Sequence, residues 1–253
     1  MWEIYDELIA SIPPEITVQE CIVGLHWILI QSQATGLAMT PREGRPRIKL
    51  AGEIRGMPVR ELAGYAKSWD FFEASLGLAA INSVLNTPEQ VANLCGRTLS
   101  NQPQVNAFTY FQERVKGKKV AVIGHFPDLE TLAGLCRLTI LERRPRDGDL
   151  PDPACEYILP EQDYVFITAT TLANKTLPRL LQLCRSARVI LVGPTTPMAP
   201  LMFSHGIDFL AGTVVVDPVK VRQVVQEGGT QEIFARGALM VKLSREEIDG
   251  RRV

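Results

Sequence analysis

Lys119-Val120-Ala121-Val122-Ile123-Gly124-His125-Phe126-Pro127-Asp128 is the stretch that decides the fold. Five residues, mostly β-branched, run into a glycine and then a proline. That order reads as a buried strand delivering the chain into a tight turn and a helix start. The pattern repeats downstream. A helix is predicted over 127–138, a second strand over 139–141 and a third over 164–168, followed by a helix over 177–184. A fourth strand over 189–192 leads to a short helix ending near Gly206. A fifth strand over 207–216 precedes a helix over 218–226, and 237–243 adds an edge strand. Strands alternating with helices imply a parallel sheet with right-handed crossovers, so this half is α/β.

Upstream the pattern changes. Trp2, Tyr5, Leu8 and Ile9 share one face of a short helix that Pro13-Pro14 end. Ile16-Thr17-Val18, Cys21-Ile22-Val23 and Trp27-Ile28-Leu29-Ile30, punctuated by Gly24 and Gly36, read as an antiparallel meander of two or three strands. Thr40-Pro41-Arg42-Glu43-Gly44-Arg45-Pro46-Arg47 is a polar, exposed loop. Helical spacing follows over 59–68 and 69–85. The second of these is apolar all round, as a helix buried on most sides must be. The chain thus divides into a small α+β unit over 1–100, a connector over 101–118 and a parallel-sheet unit over 119–253, with the last three residues expected to fray.

Composition excludes several classes. The 253 residues are 46% hydrophobic and 22% charged with a net charge of −1, and Lys and Arg are scattered. Neutralising phosphates needs a basic stripe, so nucleic acid is not an expected partner. No apolar run nears the ~20 residues of a membrane span, and the acidic N-terminus is unlike a secretory signal. Five widely spaced cysteines without a Cys-x-x-Cys suggest reduced thiols and a cytoplasmic setting. The three histidines show no metal-ligand spacing, so no metal site is assigned. The cofactor is left unknown and homo-oligomerisation is left open.

In an open parallel sheet, ligands bind beyond the C-terminal ends of the strands. That rule selects the loops 124–128, 142–149, 168–176, 193–200 and 216–218. His125 at the crevice mouth is the candidate general acid or base. Gly124 and Phe126 flank it, and a helix start at Pro127 would point backbone N–H groups at an anion. Glu142, 18 residues after Gly124, sits where ribose hydroxyls are often received, although the full G-x-G-x-x-G fingerprint is absent. Thr170 and Asn174 offer a hydroxyl and an amide, with Asn174 or Thr176 also fit to cap a helix. Gly193 and Thr195 lie in a proline-stiffened loop. In the front unit Asn82 is placed to reach the crevice, whereas Glu73 has no assigned partner.

Taken in order, Gly124-His125-Phe126-Pro127, Thr170-Thr171-Leu172-Ala173-Asn174, Gly193-Pro194-Thr195-Thr196-Pro197 and Gly206-Ile207-Asp208 resemble the heavy-metal chelation family. Gly24-Leu25-His26-Trp27 and Leu76-Gly77-Leu78-Ala79-Ala80-Ile81-Asn82 agree with it. The resemblance implies an enolase N-terminal-like domain followed by a Rossmann-like domain, with a small-molecule site between them. It also implies condensation or hydrolysis of a pterin-, flavin- or siderophore-like precursor. Two alternatives stay open: a non-catalytic binder of a metal–chelate or cofactor precursor, and an S-adenosylmethionine-dependent methyltransferase that would rest on Glu142.

Overall fold

The computed structural model describes residues 2–44 and 47–250; part of the 40–47 loop and the fraying expected at 251–253 lie outside the described residues. The first helix, α1 (Glu3–Ala10), buries Ile4, Tyr5 and Leu8. The meander has three antiparallel strands, β1 (Glu20–Val23), β2 (Trp27–Gln31) and β3 (Thr35–Met39). Ile16–Val18 is no strand: Thr17 makes only an isolated bridge to Pro58. Gly36, read as punctuation, instead lies inside β3.

Helix α2 (Val59–Gly64) leads to α3 (Phe71–Leu85), which Asp70 caps by accepting the Phe72 and Glu73 N–H groups. Every residue of α3 from Phe72 onward is buried. Two glycines make that possible. A Cβ on Gly36 would lie 2.1 Å from the Ala79 carbonyl oxygen, and one on Gly77 would lie 2.1 Å from the Ala66 nitrogen. Glycine at these sites lets β3 and the segment after α2 press against the α3 backbone from two sides.

Helix α4 (Pro88–Cys95) follows α3, and α5 (Ala107–Val115) lies within the stretch read as a connector. The charges of 113–119 masked the helical spacing of Ala107, Phe108, Phe111 and Val115, with Asn106 as the cap. Those four side chains cover one face of the large sheet.

The large sheet contains β4 (Lys119–Ile123), β5 (Arg137–Glu142), β6 (Leu150–Pro151), β7 (Tyr164–Thr168), β8 (Arg188–Val192), β9 (Phe209–Val215) and β10 (Ala238–Ser244). Its order is β10-β9-β8-β7-β4-β5-β6, parallel except for β10, the expected edge strand. From β6 to β9 this is the Rossmann order 3-2-1-4-5-6. Period-two alternation sorts its side chains. Val120, Val122, Phe166, Ile190 and Val192 meet α5, while Ala121, Ile123, Val165, Ile167, Val189 and Leu191 join the core that also holds α1 and α3.

The connections are α6 (Cys155–Ile158), α7 (Thr170–Ala173), α8 (Leu177–Leu183), α9 (Pro218–Gln226) and α10 (Glu232–Ala235), and α11 (Arg245–Asp249) closes the described chain. The helix predicted over 127–138 does not form. Asp128 takes a left-handed conformation (φ 68°), Gly134 another (φ 74°), and only a 3-10 turn, Leu129–Leu132, fits between them.

Two lysines are buried among these apolar layers. Lys175 Nζ donates to the Ala173 carbonyl at 2.7 Å and Lys242 Nζ to that of Pro103 at 2.8 Å. Each ammonium lies 5.7 Å from a tyrosine ring centroid, Tyr5 and Tyr110 respectively. Burial lowers both from 10.5 to about 8, with Arg97 adding to the effect on Lys242. The unfolded chain therefore holds more protons between pH 8 and 10.5, and stability rises with pH across that window. Lys175→Met is expected to stabilise the protein at pH 7 by up to about 3 kcal/mol. Urea midpoints at pH 7 and 10 should show that gain fading; a gain constant with pH would contradict the assignment. A second expectation concerns helix packing. Gly77→Ala should cost about 2–3 kcal/mol or more by overpacking against the Ala66 backbone. Gly64→Ala, whose Cβ meets nothing within 4 Å, should be neutral or mildly stabilising in the same urea titration.

Candidate functional site

β4 is the strand from which the sheet grows in both directions, towards β5 on one side and β7 on the other. Loops leaving the C-terminal ends of such neighbours diverge and open a crevice. Gly124 begins the first loop at φ 97°, and a Cβ there would sit 3.1 Å from Thr168 Cγ2. Glycine thus lets the loops after β4 and β7 close together.

His125 is fixed from two directions. Its backbone N–H donates to Glu142 Oε2 at 2.8 Å, and its ring Nδ1 lies 3.0 Å from Asp149 Oδ2. The Asp149 side chain is 2% exposed and also accepts the Arg146 N–H at 3.0 Å. Facing an ionised carboxylate, which only accepts, a neutral ring would carry its hydrogen on Nδ1 and leave the Nε2 lone pair free. The imidazole, 23% exposed, remains reachable from solvent. Beside it, the Thr168 and Thr170 hydroxyls are 3.0 Å apart. Gly193, at φ 110°, leaves open space where a side chain would stand.

The other expected residues fall into separate places. Phe126 packs edge-on against Phe108 of α5 at 5.2 Å and anchors the loop. Both Glu142 oxygens already accept backbone N–H groups. Oε2 takes the His125 N–H, and Oε1 takes those of Arg143 and Arg144 at 2.7 and 3.2 Å. Because no helix follows Pro127, the expected anion-binding helix start is absent as well. Asn174 forms a turn, its Oδ1 accepting both the N–H and the hydroxyl of Thr176.

Asn82 and Thr195 do meet, but in a sealed joint. Asn82 Nδ2 donates to the carbonyls of Leu37 and Thr195 at 2.8 and 3.0 Å, and Thr195 Oγ1 accepts the Met39 N–H. Both residues are buried. Glu73 is buried in the first turn of α3, accepting from Ser68 Oγ at 2.6 Å and lying 3.4 Å from Lys49 Nζ.

Sequence reasoning missed Asp149, Thr168 and Glu43. Asp149 closes one of the five selected loops, and an acid at the end of such a loop was the available signal. Glu43 belongs to the 40–47 loop and reaches Arg143 at 3.2 Å and Arg144 at 3.4 Å. Nothing local in the sequence reports that long-range approach.

Two hollows of about 360 and 590 Å³ lie elsewhere, one beside Tyr110, Phe111 and Phe209, the other along Glu20, Cys21 and Gln31. The first also contains guanidinium groups, Arg188 in an exposed ion pair with Glu246 and Arg245 donating to main-chain carbonyls, but among the described residues neither hollow contains a histidine. Chemistry, rather than volume, favours the switch point.

A heavy metal would need soft donors close together. Burial pushes the Cys21 and Cys155 thiols up to about 11 and that of Cys184 up to about 12, whereas the thiolate is the form that ligates. Among the described residues no group of three or more His, Cys, Asp or Glu side chains is placed to hold an ion. The residues present do not fit a protein-only heavy-metal site. No helix among the described residues is long and apolar enough to cross a membrane.

The comparisons with known proteins agree with this architecture. Residues 5–85 match the DUF4213 model and residues 106–244 the DUF364 model, both described as "Putative heavy-metal chelation". A crystal structure of a DUF364-family protein of unknown function from Desulfitobacterium hafniense is 43% identical. It superposes with a TM-score of 0.88 over 96% of this chain and 98% of that one. Another from Pyrococcus horikoshii, 21% identical over 95% and 98% of the two chains, shares the fold with a TM-score of 0.78. An uncharacterized protein of Methanocaldococcus jannaschii is 30% identical over 224 residues, 82% of each chain. Joining a small antiparallel sheet to a Rossmann-ordered one, this chain belongs to the heavy-metal chelation family defined by DUF4213 and DUF364.

Proposed function

We propose that the protein holds a small organic ligand, of the chelator or cofactor-precursor class, at the C-terminal ends of β4 and β7 and acts on it by proton transfer through His125. The observation that carries this reading is the buried Asp149 carboxylate 3.0 Å from His125 Nδ1. A carboxylate so placed holds the imidazole in one tautomer and one orientation, and it stabilises the imidazolium formed when Nε2 takes a proton. Base chemistry of this kind serves hydrolysis, by deprotonating water, and condensation, by deprotonating an attacking group. Thr168 and Thr170 supply hydroxyls for orientation, and the space over Gly193 accommodates part of the ligand. The poor fit to a bare heavy metal favours an organic chelator over the ion itself. With both Glu142 oxygens engaged by backbone N–H groups, Glu142 serves to hold the loop, which disfavours the methyltransferase alternative that rested on it.

The ring tautomer tests the dyad without knowledge of the substrate. Long-range ¹H–¹⁵N spectra are expected to show neutral His125 protonated at Nδ1, and Asp149→Asn is expected to shift the population towards the Nε2–H form. An Nε2–H ring in the wild type would sink the reading. Native and denaturing mass spectra of freshly purified protein should then identify the ligand as an organic mass lost on denaturation. Against that ligand, His125→Ala is expected to cut turnover by roughly 10²–10⁴-fold, with a loss of about 1–3 kcal/mol in stability as the buried Asp149 carboxylate loses its partner.

A further inference from the structure

We infer that Arg143 and Arg144 form an anion subsite beside His125, occupied here by Glu43, so that the ligand is an organic acid whose carboxylate displaces Glu43. This inference rests on the crevice proposed above and names the class of its ligand. Three observations carry it. First, the two arginines are pre-positioned. Glu142 Oε1 holds both of their backbone N–H groups, and the Arg143 guanidinium lies 5.5 Å from the Phe71 ring centroid. Second, the Glu43 carboxylate spans them as a bound acid would. Oε2 is 3.2 Å from Arg143 and Oε1 is 3.4 Å from Arg144. Guanidinium pairs suit planar carboxylates in this way. Third, the contact is built to exchange. Glu43 comes from the loop after β3 in the front unit, and its side chain is 31% exposed, against 40% and 64% for the arginines.

Ion pairs this open are weak and screened, so an external acid that uses both arginines and gains further contacts in the crevice can displace the tethered Glu43. Asp152, 3.8 Å from Arg143, adds a second, longer ion pair that lowers the pull of that guanidinium on an acid, so Arg144 carries the larger share of the attraction. The subsite adjoins the dyad through the chain itself. Glu142, whose Oε2 holds the His125 N–H, immediately precedes the two arginines. An acid group held there would place the rest of the ligand beside the imidazole. Glu43 then acts as an internal substitute for substrate, its side chain giving way to the acid.

Citrate is a suitable probe, titrated at constant ionic strength into the full-length protein and followed through arginine Nε–H resonances and by calorimetry. Citrate is expected to perturb Arg143 and Arg144, and Glu43→Gln to tighten it by about 3- to 10-fold, the value of two open ion pairs. Arg144→Met, a change at an exposed side chain, and Arg143→Met should each weaken binding at least as much. Glu113→Gln, an equal charge change on the outer surface of α5, should leave the affinity within about 1.5-fold. Unchanged affinity in Glu43→Gln, or equal tightening in Glu113→Gln, would overturn the subsite. The histidine tautomer reports on the dyad separately, so either assignment can fail while the other stands.

Discussion

Helix α3 must be satisfied from every side, and most of the molecule is arranged to do so. Its first turn is capped by Asp70 and buries Glu73 against Ser68 and Lys49. Its middle is approached by β3 at Gly36 and by the segment after α2 at Gly77. At its end two asparagines bind the loop after β8. Asn82 donates to Thr195, and Asn86 donates to the carbonyls of Thr196 and Thr213 while accepting the Met198 N–H. A helix with no solvent face cannot belong to one half alone. Its apolar surface and side-chain amides tie the small sheet to the large one through a shared core.

That constraint decides which surfaces remain for ligands. Asn82, Thr195 and Thr196 are buried in the joint with almost no exposed surface, Asn82 Oδ1 having no hydrogen-bond partner among the described residues, so the proline-stiffened loop serves cohesion. The front unit instead reaches the crevice from the side, through Phe71 at the start of α3 and the Glu43 arm after β3. The crevice itself follows from strand order. Because β4 has β5 and β7 as neighbours, the loops bearing His125, Asp149 and Thr168 must meet at one end of the sheet.

The sequence revealed whatever periodicity and breakers control. The strands over 119–123 and 164–168 and the helix over 218–226 are found where alternation and proline placed them. It misled where local signals competed. Charged residues 113–119 hid the apolar spacing of α5, and the Pro127 signal for a helix start was outweighed by left-handed backbone at Asp128 and Gly134. At the candidate site, the position of His125 just beyond β4 was legible because it follows a strand-ending glycine. Asp149 and Glu43 were not, since each acquires its partner only through tertiary proximity, across 24 residues for Asp149–His125 and about a hundred for Glu43–Arg143. Residue type alone also could not show that Glu142 was already engaged by backbone donors.

The family description raises the matter of how a chain with this donor set would deal with a heavy metal. Soft ions are held by thiolates, and a thiol becomes a good ligand when a cationic or polar setting lowers its pKa. Here burial acts in the opposite direction on Cys21, Cys136, Cys155 and Cys184. Those side chains pack as small hydrophobes, and opening them to a metal would sacrifice core contacts that hold the fold together. Polar groups are instead found beyond the C-terminal ends of β4, β5 and β7: the His125 imidazole beside Asp149, the Thr168 and Thr170 hydroxyls, and the Arg143 and Arg144 guanidinium groups. Guanidinium groups repel cations and attract acids, so such a collection suits the oxygen-rich organic partner of a metal better than the bare ion. On the reading proposed here, any metal the family handles comes to this chain already wrapped in a ligand, or is taken up later by a molecule that this crevice has helped to make.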